Sequence, residues 1–448
     1  MEKKKIESLI KIMGEEEIEK EFLVNLKVVT DDLFAIFEEL LGMKEFPNRE
    51  LIFAIMREVD KIETFLDDYG ATHNRKFFYL RELIASVRWI NIVIFQELHL
   101  LVRLDSYSLE ITPAEREEFA GKLKETVSFY LEGLKNLALE LRKEMAKYGF
   151  KKTRGKFGEQ KTLVQIQKKI LPPDLHENVV NEEKEEVFEV LIKFLENSEA
   201  FNMFVCEADA EAEVTEIVTE EVLEKYRSIF NQLESLYDTY LKNTEIEKNF
   251  HDLRKIRSCT AITLHLLEIG KALVHFYERH GDKVSRYSTA VQISNLVNKR
   301  KIQETLKELV LFYSILFLSK GKDVSIKIFR QMGRDADEFI YSTRMMIIPS
   351  HRLEDFHLRP IMPVTQIAGK YSLDSHLYYN RNKYNLKSPI EMAIAIPDIR
   401  DVLAKENVQI MLQGPRKSVN ELCEFLKEKC GAYEKPIVCN LISSAVRL

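Results

Sequence analysis

Apolar residues recur every three or four positions through most of the first 340 residues, the repeat of helices with one buried face. The stretches 51–68 and 80–104 carry this pattern without interruption. Over 112–145 the terminus signals are also present: Thr112 suits an N-cap, Pro113 the first helical position, and Glu115 the return arm of a capping box. Residues 1–150 are therefore expected to form an antiparallel helical bundle. The periodicity then stops. Segment 151–169 is basic and contains two glycines, and Leu-Pro-Pro-Asp follows at 171–174, so 151–177 reads as a linker. A second helical region runs over 178–340, interrupted by an acidic stretch at 206–221 that reads as an exposed helix or loop. Its longest apolar run, 309–318, is too short to span a bilayer and reads as a buried helix segment.

After residue 340 the period changes. Segments 342–349, 375–380, 383–386 and 407–412 are short and rich in strand-forming residues; Gln413, Gly414 and Pro415 stop the last of them. A tight turn is expected at Arg381 and Asn382. The 416–431 stretch is an amphipathic helix whose stripe is Val419, Leu422, Cys423 and Leu426, with Gly431 where a C-cap glycine belongs. The order strand, helix, two strands, helix, strand, helix defines a small α+β domain over 341–432, with helices on one face of its sheet and a tail at 433–448. The expected fold is thus mostly α, with helical bundles followed by a C-terminal α+β domain.

The 448-residue length fits two to four domains. A net charge of −6 argues against a general nucleic-acid binder and leaves only local basic patches, at 151–169 and 298–301, for polyanion contact. The five cysteines form no C-x-x-C pair, and the N-terminus is charged throughout with no apolar signal core. A reducing cytoplasm with free thiols is the expectation. No phosphate-binding loop, dinucleotide-binding glycine pattern or metal-ligand spacing is present, so neither cofactor nor metal is expected. His99, His265 and His275 lie on apolar helices and read as core or surface residues.

One stretch carries candidate chemistry. In Phe-His-Leu-Arg-Pro, His357 stands just before a predicted helix whose buried face is Ile361, Val364, Ile367 and Ala368. A helix start offers unpaired N–H groups and a partial positive charge that favour an anion. Arg359 adds a planar donor fork suited to phosphate. Pro360 fits the first turn, where its missing N–H costs little. A neutral imidazole at that terminus is a nucleophile that titrates near neutral pH. Ser388, 31 positions after His357 and directly after Lys387, reads as the N-cap of a further helix, with Pro389 at its first position and Glu391 closing a capping box.

On these residues the segment 342–431 resembles the histidine-containing phosphocarrier protein HPr of the bacterial phosphotransferase system. His357-Leu358-Arg359-Pro360 matches the family's His-x-Arg-Pro active-site motif, and Lys387-Ser388 matches its Lys-Ser regulatory segment at the corresponding distance. The resemblance implies an open-faced β-sandwich, in which a four-stranded antiparallel sheet is covered by three helices. It implies His357 as phosphoryl acceptor and Arg359 as its phosphate-stabilising partner, with Leu358 and Pro360 shaping the helix terminus. Ser388 would match the serine that a regulatory kinase phosphorylates in some bacteria. An enzyme I-like donor and a downstream transfer or regulatory protein are the implied partners, and the role is that of a phosphocarrier rather than a catalyst. Leu358, Ile361 and Pro363 depart from the family's usual residues, as does the acidic pair Glu354–Asp355 ahead of the histidine. They point to an alternative: a helical protein–protein scaffold whose HPr-like domain docks without transferring phosphate.

Overall fold

The computed structural model describes residues 12–150, 183–206, 213–242, 244–281, 293, 295–356, 358–380 and 382–437, without the side chains of 183–184, 281 and 358–361. The linker expected at 151–177 lies outside the described residues, as does the tail from 438 onward. One compact unit comprises the described parts of 1–102, 121–172 and 272–302; a second comprises those of 103–120, 173–271 and 303–448.

The first unit is helical. Its main elements are α1 (Leu23–Gly42), α2 (Arg49–Asp68), α3 (Phe78–Arg103) and the part of α4 (Pro113–Ala146) from residue 121. Asn48 caps α2 by accepting from the Leu51 N–H at 2.8 Å. Leu51, Ile55, Val59, Ile62 and Leu66 then form its buried stripe, as the three–four spacing requires. α3 is buried on more of its circumference, and its burial includes Glu82, Ser86, Asn91 and Glu97. Asn91 is tied to α2, donating from Nδ2 to the Ile52 carbonyl at 2.8 Å.

The second unit contains α5 (Glu183–Cys206), α6 (Glu220–Tyr240), most of α7 (Leu253–Phe276) and α8 (Phe312–Gln331). The predicted box at the head of α4 is complete: Thr112 N–H donates to Glu115 Oε2 at 2.6 Å, and Glu115 N–H donates to Thr112 Oγ1 at 3.1 Å. Within the acidic stretch 206–221, residues 207–212 lie outside the described residues. The rest is not simply exposed, because the short helix Val214–Ile217 buries Val214 and Thr215. Among the described residues two segments, Phe78–Ser106 and Leu253–His280, are long and apolar enough to cross a membrane, but 67% and 78% of their apolar windows are buried inside the protein, as in core helices.

α5 and α8 meet at a glycine. A Cβ on Gly321 would stand 2.3 Å from Cζ and 2.7 Å from Cε1 of Phe194, which is fully buried. Gly→Ala in a helix ordinarily gains about 1 kcal/mol, whereas overpacking a core costs ~1–3 kcal/mol. Because the Phe194 ring has no solvent to move into, Gly321→Ala is expected to destabilise by ~2 kcal/mol net of that gain. A urea unfolding midpoint equal to or above that of the native chain would refute this.

The C-terminal part of the second unit is an α+β domain. Its elements are β1 (Tyr341–Ile348), α9 (Leu358–Gly369), β2 (His376–Tyr379), β3 (Asn382–Asn385), α10 (Pro389–Leu403), β4 (Val408–Pro415), α11 (Arg416–Cys430) and β5 (Tyr433–Lys435). The sheet is antiparallel in the order β3-β2-β4-β1-β5. Met346 and Ile348 of β1 and Val408, Ile410 and Leu412 of β4 share one core with Val364 and Ala368 of α9, Met392, Ile396 and Ile399 of α10, and Val419, Leu422 and Leu426 of α11. Alternation along β1 puts Tyr341 and Thr343 on the opposite face; both are buried there, and α5 packs against this strand.

Four sequence expectations change here. The turn expected at Arg381 and Asn382 does not include Asn382, which is already in β3 and pairs with Tyr379; Asn380 adopts a φ of 46°, which asparagine tolerates better than most residues, and Arg381 lies outside the described residues. β4 does not stop at Gln413 but pairs with β1 as far as Pro415 opposite Tyr341. Pro415 is accepted there as the last residue of the strand. The supposed tail contributes a fifth strand to the sheet, with Tyr433 of β5 opposite Ile347 of β1. Finally, Glu391 does not close a box on Ser388; its Oε2 accepts from the Asn385 N–H at 2.6 Å.

Candidate functional site

The candidate site is built where α9 begins. β1 ends at Ile348, and the 3₁₀ turn Ser350–Asp355 reverses the chain. Phe356, 1% exposed, then anchors it in the domain core. α9 opens at Leu358, so position 357 immediately precedes its first residue. His357 itself lies outside the described residues, as do the side chains of Leu358, Arg359, Pro360 and Ile361. Val364, Ile367 and Ala368 form the buried face of α9, as their spacing predicts. Pro360 is the third residue of the helix, where its missing N–H is unneeded. Pro363 lies deeper, yet the helix continues through it to Gly369. Of the two acidic residues ahead of the site, Asp355 is paired with Arg352 Nη1 at 2.9 Å, which offsets its charge locally.

Ser388 is the N-cap of α10, its Oγ accepting from the Glu391 N–H at 3.3 Å, with Pro389 next. Lys387 is tied back, pairing with Asp374 Oδ1 at 2.9 Å and donating to the Ser372 carbonyl at 2.9 Å. The Lys387 ammonium holds the Asp374 carboxyl below its usual range. α9 and α10 pack against each other, so the helices that carry the two motifs are neighbours. Three apolar side chains on these helices remain exposed: Met362 at 41%, Ile390 at 75% and Ile394 at 56%. Ile390 and Ile394 are four apart and so lie on one side of α10.

One histidine and three cysteines have shifted titrations that keep them unreactive near neutral pH. Burial, followed by the charge of Lys383, lowers His376 to about 4, which keeps it neutral. Cys259, Cys423 and Cys430 are buried thiols pushed up to about 12, 11 and 11 by desolvation, and Cys206 is also buried, with its thiol 3.6 Å from Asn202 Oδ1. Cys439 lies outside the described residues. No group of three or more metal-ligating side chains occurs among the described residues. His275, which sequence alone placed among core or surface residues, stacks on Trp89 at 3.8 Å in the wall of a polar cavity within the first unit. Its only sequence signal was its position near the end of a long apolar helix, which does not reveal its neighbours.

No protein-family model matches the chain, and neither curated proteins nor solved structures give a significant match.

Proposed function

We propose that residues 341–432 are an HPr-like module that accepts a phosphoryl group on His357 and passes it to a partner or uses its charge as a signal. The observation that carries this reading is the opening of α9 at Leu358, which puts the His-x-Arg-Pro motif across a helix start. The antiparallel order β3-β2-β4-β1 and the three helices sharing its core support it further. In the reaction an imidazole nitrogen of His357 attacks phosphorus; the N–P bond forms as the bond from phosphorus to the donor breaks. The three peptide N–H groups of a helix start and the Arg359 guanidinium would then face the new charge. Met362, Ile390 and Ile394 offer an apolar face on which an enzyme I-like donor docks. Ser388 stands at a helix N-terminus, where a phosphate placed by a serine kinase would be favoured by the helix dipole.

The test is incubation with phosphoenolpyruvate and enzyme I, followed by assay of acid-labile protein phosphate. The native chain is expected to take up about one phosphoryl group per molecule and His357→Ala essentially none, because the acceptor atom itself is gone. Label retained by His357→Ala would sink the assignment. A second reading, in which the module docks without transfer, is favoured by Pro363 inside α9 and by the same exposed apolar side chains. It predicts no label on either protein and partner binding that survives His357→Ala.

A further inference from the structure

A cavity of about 620 Å³ lies in the first unit beside its N-terminal helical turns. Three segments wall it: residues 12–22, the end of α2 at Asp68 with Tyr69 after it, and residues 71–77 ahead of α3. Residues Ile18–Phe22 form a π-helical turn, a feature that recurs at functional sites. That turn supplies Phe22 to the cavity, which Tyr69 and Phe77 also line. The three rings form one cluster, with centroids 5.1 Å apart for Phe22–Tyr69 and 4.7 Å apart for Phe22–Phe77. Phe22 and Phe77 are buried, whereas Tyr69 keeps 39% of its surface open. Glu17, Glu21 and Asp68 line the same space.

The charge of this wall is one-sided. Among the described residues that line the cavity, none is Lys, Arg or His. Glu17 is engaged, its Oε2 accepting from the Gly14 N–H at 2.8 Å. The carboxylates of Glu21 and Asp68 have neither a hydrogen bond nor an ion pair among the described residues. The cations close to them in sequence are committed elsewhere: Arg81 holds Asp67 rather than Asp68, and Lys20 pairs with Glu16. The carboxylates do not converge on one point, since no group of three or more metal-ligating side chains occurs among the described residues. A divalent metal, which draws several oxygens to about 2.0–2.6 Å, therefore does not match them. An organic ammonium does, because separate carboxylates can attract its charge while its carbon body lies against the rings. Lys76 already shows this affinity at the same cluster: its Nζ stands 5.5 Å from the Phe77 centroid, although Lys76 does not line the cavity. An anion would be repelled by the unpaired carboxylates. The volume falls among those of small-molecule pockets, ~300–1,000 Å³. We propose that this cavity binds an organic cation with an apolar body, an aryl- or alkylammonium. The proposal is independent of phosphoryl transfer at His357.

The test is calorimetric titration of the full chain with benzyltrimethylammonium chloride. Benzyl alcohol and sodium phenylacetate serve as neutral and anionic counterparts, with ionic strength held constant by sodium chloride. Saturable binding of the cation is expected, with weaker binding of benzyl alcohol and none of phenylacetate. Glu21→Gln combined with Asp68→Asn, both at exposed positions, is expected to weaken binding of the cation about fivefold, the combined effect of two solvent-screened charge contacts. Tyr69→Leu keeps an apolar side chain and removes the ring, and is expected to weaken binding about threefold. The proposal is overturned by the absence of saturable binding of the cation, by equal affinity for benzyl alcohol or phenylacetate, or by native affinity in both variants.

Discussion

Gly414→Ala is expected to destabilise the α+β domain by about 3 kcal/mol, at the upper end of the cost of overpacking. Gly414 lies in β4 opposite Ser342, and a Cβ there would stand 2.8 Å from the Cα and 2.4 Å from the Oγ of Ser375. A flexible side chain could yield, but Ser375 is pinned. It is fully buried, and its Oγ is 2.7 Å from that of Ser418, also fully buried. Its carbonyl accepts from the Leu386 N–H at 2.8 Å. Moving Ser375 aside would break one or both bonds in a fully buried site, where each unpaired group costs ~1–3 kcal/mol. The measurement is urea unfolding, together with protease resistance of the 341–435 segment. A change below about 0.5 kcal/mol, the ordinary range for neutral substitutions, would show that the strands separate easily at this point. Ser375→Gly in the Gly414→Ala background is expected to recover part of the loss, because it removes the Oγ and Cβ contacts but leaves the one to Cα.

Glu97 is expected to make the stability of the first unit fall as pH rises. Its side chain is fully buried in α3, and neither carboxyl oxygen has a hydrogen bond of normal geometry. The neighbouring Thr126 hydroxyl donates to the carbonyls of Lys122 and Leu123, both at 3.0 Å. Desolvation pushes the carboxyl well above its usual range, and Thr126 offsets only part of the rise. The folded state therefore holds a proton that the unfolded chain releases near pH ~4.3. The stability associated with it is fully present below that pH and is lost as pH rises toward the folded value. Each pH unit in that window shifts the folding equilibrium by about tenfold. Glu97→Gln mimics the protonated acid and removes this dependence. The difference in unfolding free energy between variant and native chain should widen from pH 5 to pH 7; a constant difference would mean that Glu97 is ionised and partnered in the fold.

Much of the α+β domain was legible because its signals are local. The stripe of α11 and the αL glycine that ends it, Gly431 at φ 63°, follow from spacing and from the freedom of a residue without Cβ. The N-cap role of Ser388 follows from the same kind of evidence along the chain. The misreadings are places where a distant partner overrides a local signal. Gly414 and Pro415 looked like a stop, but β1 supplies the pairing that carries β4 through them. Asn385, not Ser388, received the Glu391 carboxylate because its N–H is turned into the helix start by the β3–α10 connection. Of the candidate site, the sequence supplied the motif and the helix that follows it; the exposed Met362, Ile390 and Ile394 became visible only when α9 and α10 were packed together.

By itself the sequence determined the element types, the caps at Thr112 and Ser388, and the segment in which phosphoryl chemistry is proposed. Periodicity and capping depend on residues within one turn of each other, so one chain suffices to read them. The tertiary structure decided which segments combine. It joined His280 to Glu82, 198 positions apart, and stacked His275 on Trp89. It also buried Glu97 beside Thr126 and set Gly414 against Ser375. These arrangements arise from long-range contacts between helix faces and strand edges, and the spacing of residues along one element contains no record of what packs across from it.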